Sequence, residues 1–217
     1  MIDRRELILG GAALAVLPAG LRAALPIPAG NRLGFDVVRK GSKLGTHVLT
    51  FTPAGDGLTV QVAVDIAYKI GPITLYHYTH AATERWQGDQ VVAVQSQTND
   101  NGDKYQVTVR REAAGLVVQG TKAPRYVAPA DALPATHWNR RELDGPWINT
   151  QDGRLMRPRI ASQGIETIPT ASGGALRARH FVLSGDVELD MWYEDRLGWA
   201  GLSFVKSGVP VRYVRQA

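Results

Sequence analysis

The sequence predicts an all-β fold: an antiparallel up-and-down meander of about a dozen strands, curled into a barrel or deep half-barrel. Two observations carry this. Apolar and polar residues alternate with period two from residue 32 onward, and turn signals recur every 8–14 residues. The clearest run is 58–70, where Leu58, Val60, Val62, Val64, Ile66, Tyr68 and Ile70 alternate with Thr59, Gln61, Ala63, Asp65, Ala67 and Lys69. Such a run has one apolar face only as a strand, and at full extension it is roughly 40 Å long.

The turns read from Gly, Asn and Asp, which tolerate the positive φ of tight hairpins. Examples are Lys40-Gly41-Ser42, Asp56-Gly57, Asn101-Gly102, Asp152-Gly153, Gly173-Gly174 and Ser207-Gly208. Strands joined by short turns form an antiparallel sheet, and so many strands with one wet face must curl. Residues 121–136 hold Pro124, Pro129 and Pro134 and break the pattern. They are expected to form a covering loop, with one helical turn near Ala130–Leu133.

The first residues read as an address. Arg4-Arg5 precedes a Gly/Ala-rich apolar run that ends near Leu17 and gives way to small residues. That is the order of a cleavable export signal, and the run is too short for a stable membrane span. Paired arginines before a weakly apolar stretch resemble the twin-arginine signal, although Asp3 and Glu6 depart from its usual flanks. The expected division is a signal peptide over 1–23 and a single β domain over 24–217. The expected location is the periplasm, with a secreted form as a variant and the twin-arginine translocase as an export partner.

Composition narrows the function. The 217 residues include no cysteine, which excludes disulfides, thiolate metal sites and a cysteine nucleophile. The formal charge of +5 falls by one when residues 1–23 are removed. A basic balance suits anionic partners such as lipid headgroups, but no basic run reaches the length of a polybasic arm, so no nucleic-acid partner is expected. Gly-x-Ser-x-Gly, His-Glu-x-x-His, phosphate-cradling and dinucleotide motifs are absent. The five histidines have no local metal spacing. No catalytic residue, metal or cofactor is therefore assigned.

Candidate binding residues come from three places. In the strand around 76–86, Tyr76, Tyr78, His80, Glu84 and Trp86 share one face, and His77 points the other way. They are either the polar floor of an aromatic-lined concavity or a satisfied core network. His137-Trp138-Asn139 is expected to begin a strand near a rim, with His137 and Asn139 facing a cavity or satisfying loop backbone groups. Arg157 and Arg159 share a strand face suited to a phosphate or carboxylate, or simply to water.

Several short motifs, in order, resemble an exported bacterial family, domain of unknown function 6134. They are Gly34-Phe35-Asp36-Val37-Val38-Arg39-Lys40-Gly41-Ser42-Lys43-Leu44-Gly45-Thr46-His47; His80 with Glu84, Trp86 and Gly88; Thr98 with Asn101-Gly102; His137-Trp138-Asn139; Gly153; and Trp192-Tyr193. The resemblance spans nearly the whole chain after the signal. It implies an exported β domain and supplies no catalytic residues. A looser architectural likeness is to the curved sheets of periplasmic lipid carriers and lipocalin-like binders. The expected function is to bind or carry an apolar or amphipathic small molecule or lipid, with contact to a membrane surface allowed. The alternatives are a structural or interaction protein of the envelope and, third, a hydrolase or lyase on a β scaffold.

Changing Arg4-Arg5 to Lys-Lys is expected to leave unprocessed precursor in the cytoplasm. Normal processing in cells lacking the twin-arginine translocase would refute the export reading.

Overall fold

In the computed structural model, residues 25–216 are described. The expected signal peptide over 1–23 lies outside them. Sixteen strands follow one another: β1 (Arg32–Arg39), β2 (Ser42–Ala54), β3 (Gly57–Ile70), β4 (Ile73–Gln87), β5 (Gln90–Asp100), β6 (Asp103–Glu112), β7 (Gly115–Gly120), β8 (Ala123–Ala128), β9 (Leu133–Pro134), β10 (Trp147–Ile148), β11 (Leu155–Met156), β12 (Arg159–Pro169), β13 (Ala175–Ser184), β14 (Leu189–Glu194), β15 (Gly198–Lys206) and β16 (Val209–Arg215). Two short 3-10 helices, Ala29–Asn31 and Arg140–Asp144, are the helical elements among the described residues.

Thirteen strands form one sheet in the order β12-β13-β14-β15-β16-β1-β2-β3-β4-β5-β6-β7-β8. Two meanders, β1–β8 and β12–β16, are stitched together where β16 pairs antiparallel with β1. Strands β12 and β8 are the free edges, so the sheet is a deep half-barrel. Right-handed twist accumulated over so many strands brings the inward side chains toward one another. Inward residues of β1 to β7, among them Phe35, Leu49, Val60, Val94, Val107 and Leu116, are almost fully buried, and most of their sequence neighbours are partly or fully exposed.

The chain must still connect β8 to β12. Residues 129–158 do so by entering the concavity. Ala132, Trp147 and Ile148 are fully buried there, and Trp138 is nearly so. A small three-stranded sheet, β11-β10-β9, orders this plug. The Pro-rich stretch therefore differs in detail from expectation. Residues 123–128 form strand β8, and the helical turn lies at Arg140–Asp144 instead of near Ala130–Leu133. His137-Trp138-Asn139 does not begin a strand. His137 has φ +69°, outside strand geometry, and the Asn139 side chain accepts from Arg141 N to cap the 3-10 helix.

The plug approaches the sheet closely at Gly120 of β7. A Cβ there would lie 2.7 Å from the Gly153 Cα, and Gly153 itself has φ +87°. Both positions need glycine, one for space and the other for conformation. Gly120→Ala is expected to lower the free energy of unfolding by about 1–3 kcal/mol, the cost of overpacking against backbone. Chemical denaturation measures this, and wild-type stability in the variant would contradict the close approach.

Candidate functional site

Strand β4 supplies the middle of the concave face. Its inward side chains are Tyr76, Tyr78, His80, Ala82, Glu84 and Trp86, with the last four buried. Glu84 is 0% exposed. Three donors converge on its carboxylate: Trp86 Nε1 at 2.7 Å, Trp138 Nε1 at 3.0 Å and the Thr136 hydroxyl at 2.5 Å. Two of these come from the plug. Trp138 also packs edge-on against Trp86 and Phe51, each with ring centroids 5.2 Å apart. Burial pushes the Glu84 carboxyl up to about 7; the three donors pull it down, and the charge of Glu142 adds to the rise.

The plug carries a second buried acid. Glu142 is 1% exposed. It accepts from the His137 backbone N at 3.1 Å, from His137 Nδ1 at 2.9 Å and from the Tyr193 hydroxyl at 2.9 Å. The same Tyr193 hydroxyl lies 2.8 Å from the His137 carbonyl. His137 is thus held at its backbone N–H, its carbonyl and its ring, in a left-handed conformation that a non-glycine residue keeps only when its surroundings impose it. Because Nδ1 donates to a carboxylate, the neutral ring keeps Nε2 as its acceptor.

Above these clamps the half-barrel is not filled. A cavity of about 700 Å³ lies between the plug and the inner walls of β1–β4 and β14–β16. Val62, Val64, Ile66, Leu189, Leu202 and Phe204 give it apolar walls, and His47, His80, His137, Thr136 and Thr150 line it from below. Arg39, Tyr68, Tyr76, Lys206 and Ser207 mark its mouth at the hairpin ends.

The histidines differ in their partners. His80 Nδ1 lies 2.8 Å from Thr98 Oγ1 and its Nε2 lies 3.3 Å from Thr150 Oγ1. Burial lowers His80 to about 4, so it is neutral. His47 is 7% exposed, and neither ring nitrogen has a partner. Burial first, then the nearby His137 and His80, holds His47 well below the usual histidine range. A neutral imidazole with an unpartnered donor and an unpartnered acceptor, packed edge-on against Phe35, Trp199 and Tyr213, therefore borders the cavity. Arg39 Nε, at the mouth, is also buried and unpartnered.

The sequence candidates scatter across this arrangement. Tyr76, Tyr78, His80 and His137 line the cavity, whereas Glu84 and Trp86 belong to the polar network that seats the plug. Asn139 caps the short helix, away from the cavity lining. Arg157 and Arg159 also lie outside the lining, Arg157 donating its backbone N–H to Asp186. Sequence reasoning missed His47, Arg39 and Glu142. His47 keeps step with Leu49 and Phe51 in β2, so a histidine on a core face was the available signal. Nothing local marks Glu142.

The raised Glu84 pKa fixes a sign. A carboxyl that binds its proton more tightly when folded adds stability below its unfolded pKa and loses that contribution as pH rises toward 7. Glu84→Gln does not ionise but leaves a Trp N–H or the Thr136 hydroxyl without its acceptor. The variant is expected to melt below wild type, with the gap narrowing by on the order of 3 kcal/mol between pH 4.5 and about 7. A gap that widens with pH over this window would contradict the assignment.

Comparison with known proteins gives a fold and a family. No curated protein matches the chain. The crystal structure of a β-barrel-like protein of domain of unknown function DUF1849 from Brucella abortus is similar in fold, with a TM-score of 0.61 and 11% identity over 89% of this chain and 97% of that one. At that identity the likeness concerns the fold alone. The profile of the family described as Domain of unknown function (DUF6134) matches residues 35–216, so it takes in β2 to β16 and both carboxylate clamps, and the chain belongs to that family.

Proposed function

We propose that this protein binds or carries an amphipathic small molecule or lipid in the periplasm, holding it in the cavity above the plug. One observation carries the reading. His47 is a buried side chain on the inner face with two unpaired nitrogens, and the cavity it lines is otherwise walled largely by apolar groups. Orphaned buried polar groups are uncommon because each costs about 1–3 kcal/mol. A ligand hydroxyl or carbonyl at the floor supplies what His47 lacks. The volume suits one small molecule or lipid chain.

The electrostatics orient that molecule. The floor holds the neutral imidazoles of His47 and His80 and no lysine or arginine, so a carboxylate or phosphate would be poorly compensated there. The mouth has Arg39 and Lys206, neither within ion-pairing distance of an acid among the described residues. An anionic end at the mouth, an apolar body along Val62, Val64 and Leu202, and a neutral polar group at the floor make a consistent pose.

A second reading, acid–base chemistry on the bound molecule, has one observation in its favour. His137 is oriented by Glu142 and presents its remaining nitrogen as an acceptor.

His47→Phe separates binding from a purely structural role. Replacing an unpaired polar ring with an apolar one is expected to raise stability by about 1–3 kcal/mol. The same change should weaken binding of a dansylated fatty acid or a hydroxylated analogue by about tenfold. Lost stability together with unchanged probe binding would reject the cavity as a ligand site.

A further inference from the structure

Antiparallel alternation places every odd-to-even hairpin of β1–β8, and the β13–β14 and β15–β16 hairpins too, at one end of the half-barrel. The end at the cavity mouth gathers the turns β1–β2, β3–β4, β5–β6, β7–β8, β13–β14 and β15–β16. All six lysines of the chain, Lys40, Lys43, Lys69, Lys104, Lys122 and Lys206, sit in or beside these turns, and all are exposed. Of them, Lys43 is the one in an ion pair among the described residues, with Asp36 at 2.8 Å. Asp100 and Asp103 flank the β5–β6 turn and Asp186 and Glu188 lie in the β13–β14 turn, so the excess of positive charge is concentrated around Arg39, Lys40, Lys69 and Lys206.

The β3–β4 hairpin stands out from this rim. Its pairing with β2 ends at Ile66 and its pairing with β5 begins at Tyr78. Residues 67–76 therefore pair in the ladder only with one another and carry the hairpin about 13 Å past the β5–β6 turn on one side, while on the other Arg39 of the β1–β2 hairpin lies over the Tyr68 ring at 5.4 Å. The projection ends in apolar side chains exposed to water: Ile70 at 58%, Ile73 at 62% and Leu75 at 50%. Val205, 65% exposed, lies on the neighbouring rim beside Lys206. Four of the seven large apolar side chains exposed among the described residues thus fall at this one end. A folded protein tolerates such a cluster where it meets another apolar phase.

We infer that the mouth of the half-barrel docks on a bilayer containing anionic phospholipid, with Ile70, Ile73 and Leu75 of the β3–β4 hairpin entering the acyl boundary and the rim lysines meeting headgroup phosphates. Charge chooses the partner. Exposed Lys40, Lys69 and Lys206, none in an ion pair among the described residues, around an apolar tip are complementary to an anionic lipid surface, whereas a second copy of this chain would bring like charge against like. The tip is short, and nothing about it requires a spanning segment. Docked this way, the cavity mouth faces the membrane.

The test is co-sedimentation with vesicles, using protein lacking residues 1–23, whose apolar stretch would itself bind lipid; every described strand lies after that segment. Wild type is expected to bind phosphatidylethanolamine vesicles containing phosphatidylglycerol, and to bind pure phosphatidylcholine about tenfold less or weaker. Added salt should weaken the binding. Ile70→Ser, Ile73→Ser and Leu75→Ser together should abolish it without lowering the melting temperature, because the three side chains are exposed. Lys40→Glu with Lys69→Glu should remove the preference for phosphatidylglycerol. His47→Phe alters the cavity but not the rim, so it should bind vesicles like wild type even if it binds no small molecule. The inference is overturned if the triple serine variant binds as wild type does or if vesicle charge makes no difference. It is also overturned if sedimentation velocity shows the tip pairing two copies, with the triple variant monomeric.

Discussion

Glu84 and Glu142 are enclosed carboxylates, and each is tolerable only because the chain brings donors to it from across the molecule. Glu84 belongs to the sheet and takes two of its three donors from the plug; Glu142 belongs to the plug and takes one from the sheet through Tyr193. The two acids therefore latch the same two bodies in opposite senses. Removing either partner would strand a buried acceptor or several buried donors, the costly direction for a polar network. The protonation of Glu84 can be absorbed locally. The Thr136 hydroxyl lies 3.5 Å from the Pro134 carbonyl as well as beside Glu84, so it can donate to one and accept from the other.

This latch determines where the open space is. A thirteen-stranded half-barrel encloses more volume than its own inward side chains fill, and its edges β8 and β12 must be joined by some length of chain. The joining segment is drawn inward and pinned by Glu84 near the C-terminal end of β4. Trp138 and Trp147 then fill one half of the concavity, and the other half stays open above His47, His80 and His137. The second clamp, Glu142, orients His137. The architecture of the plug and the polarity of the cavity floor thus have a single cause.

Much of the fold was legible because strands report themselves locally. The period-two run 58–70 became β3 nearly residue for residue, and the Gly, Asn and Asp turns fell between strands as their φ preferences require. The shared face of Tyr76, Tyr78, His80, Glu84 and Trp86 followed from the same period. What could not be read was the depth of each residue on that face. Tyr76 at the mouth and Glu84 beneath the plug differ only in which distant segment covers them. The plug itself carries no period, because its conformation is set by contacts with the sheet instead of by neighbours in sequence. For that reason His137-Trp138-Asn139 passed for a strand, and Glu142 passed unnoticed among ordinary surface charges. Asn139 and the Arg157–Arg159 pair, suggestive in sequence, proved to serve a helix cap and an outer surface.

The central claim is that the plug, residues 129–158, is fixed and not a lid. Hydrogen exchange tests it most directly, because a latched segment opens only when the whole domain unfolds. The amides of Leu133, Ala135 and Glu142, each bonded within the plug, and the indole N–H of Trp138 should exchange with the free energy of global unfolding, matching core strand β3. Exchange of these groups at a much lower free energy, with β3 still protected, would show that the segment lifts out on its own and that the cavity has no permanent floor.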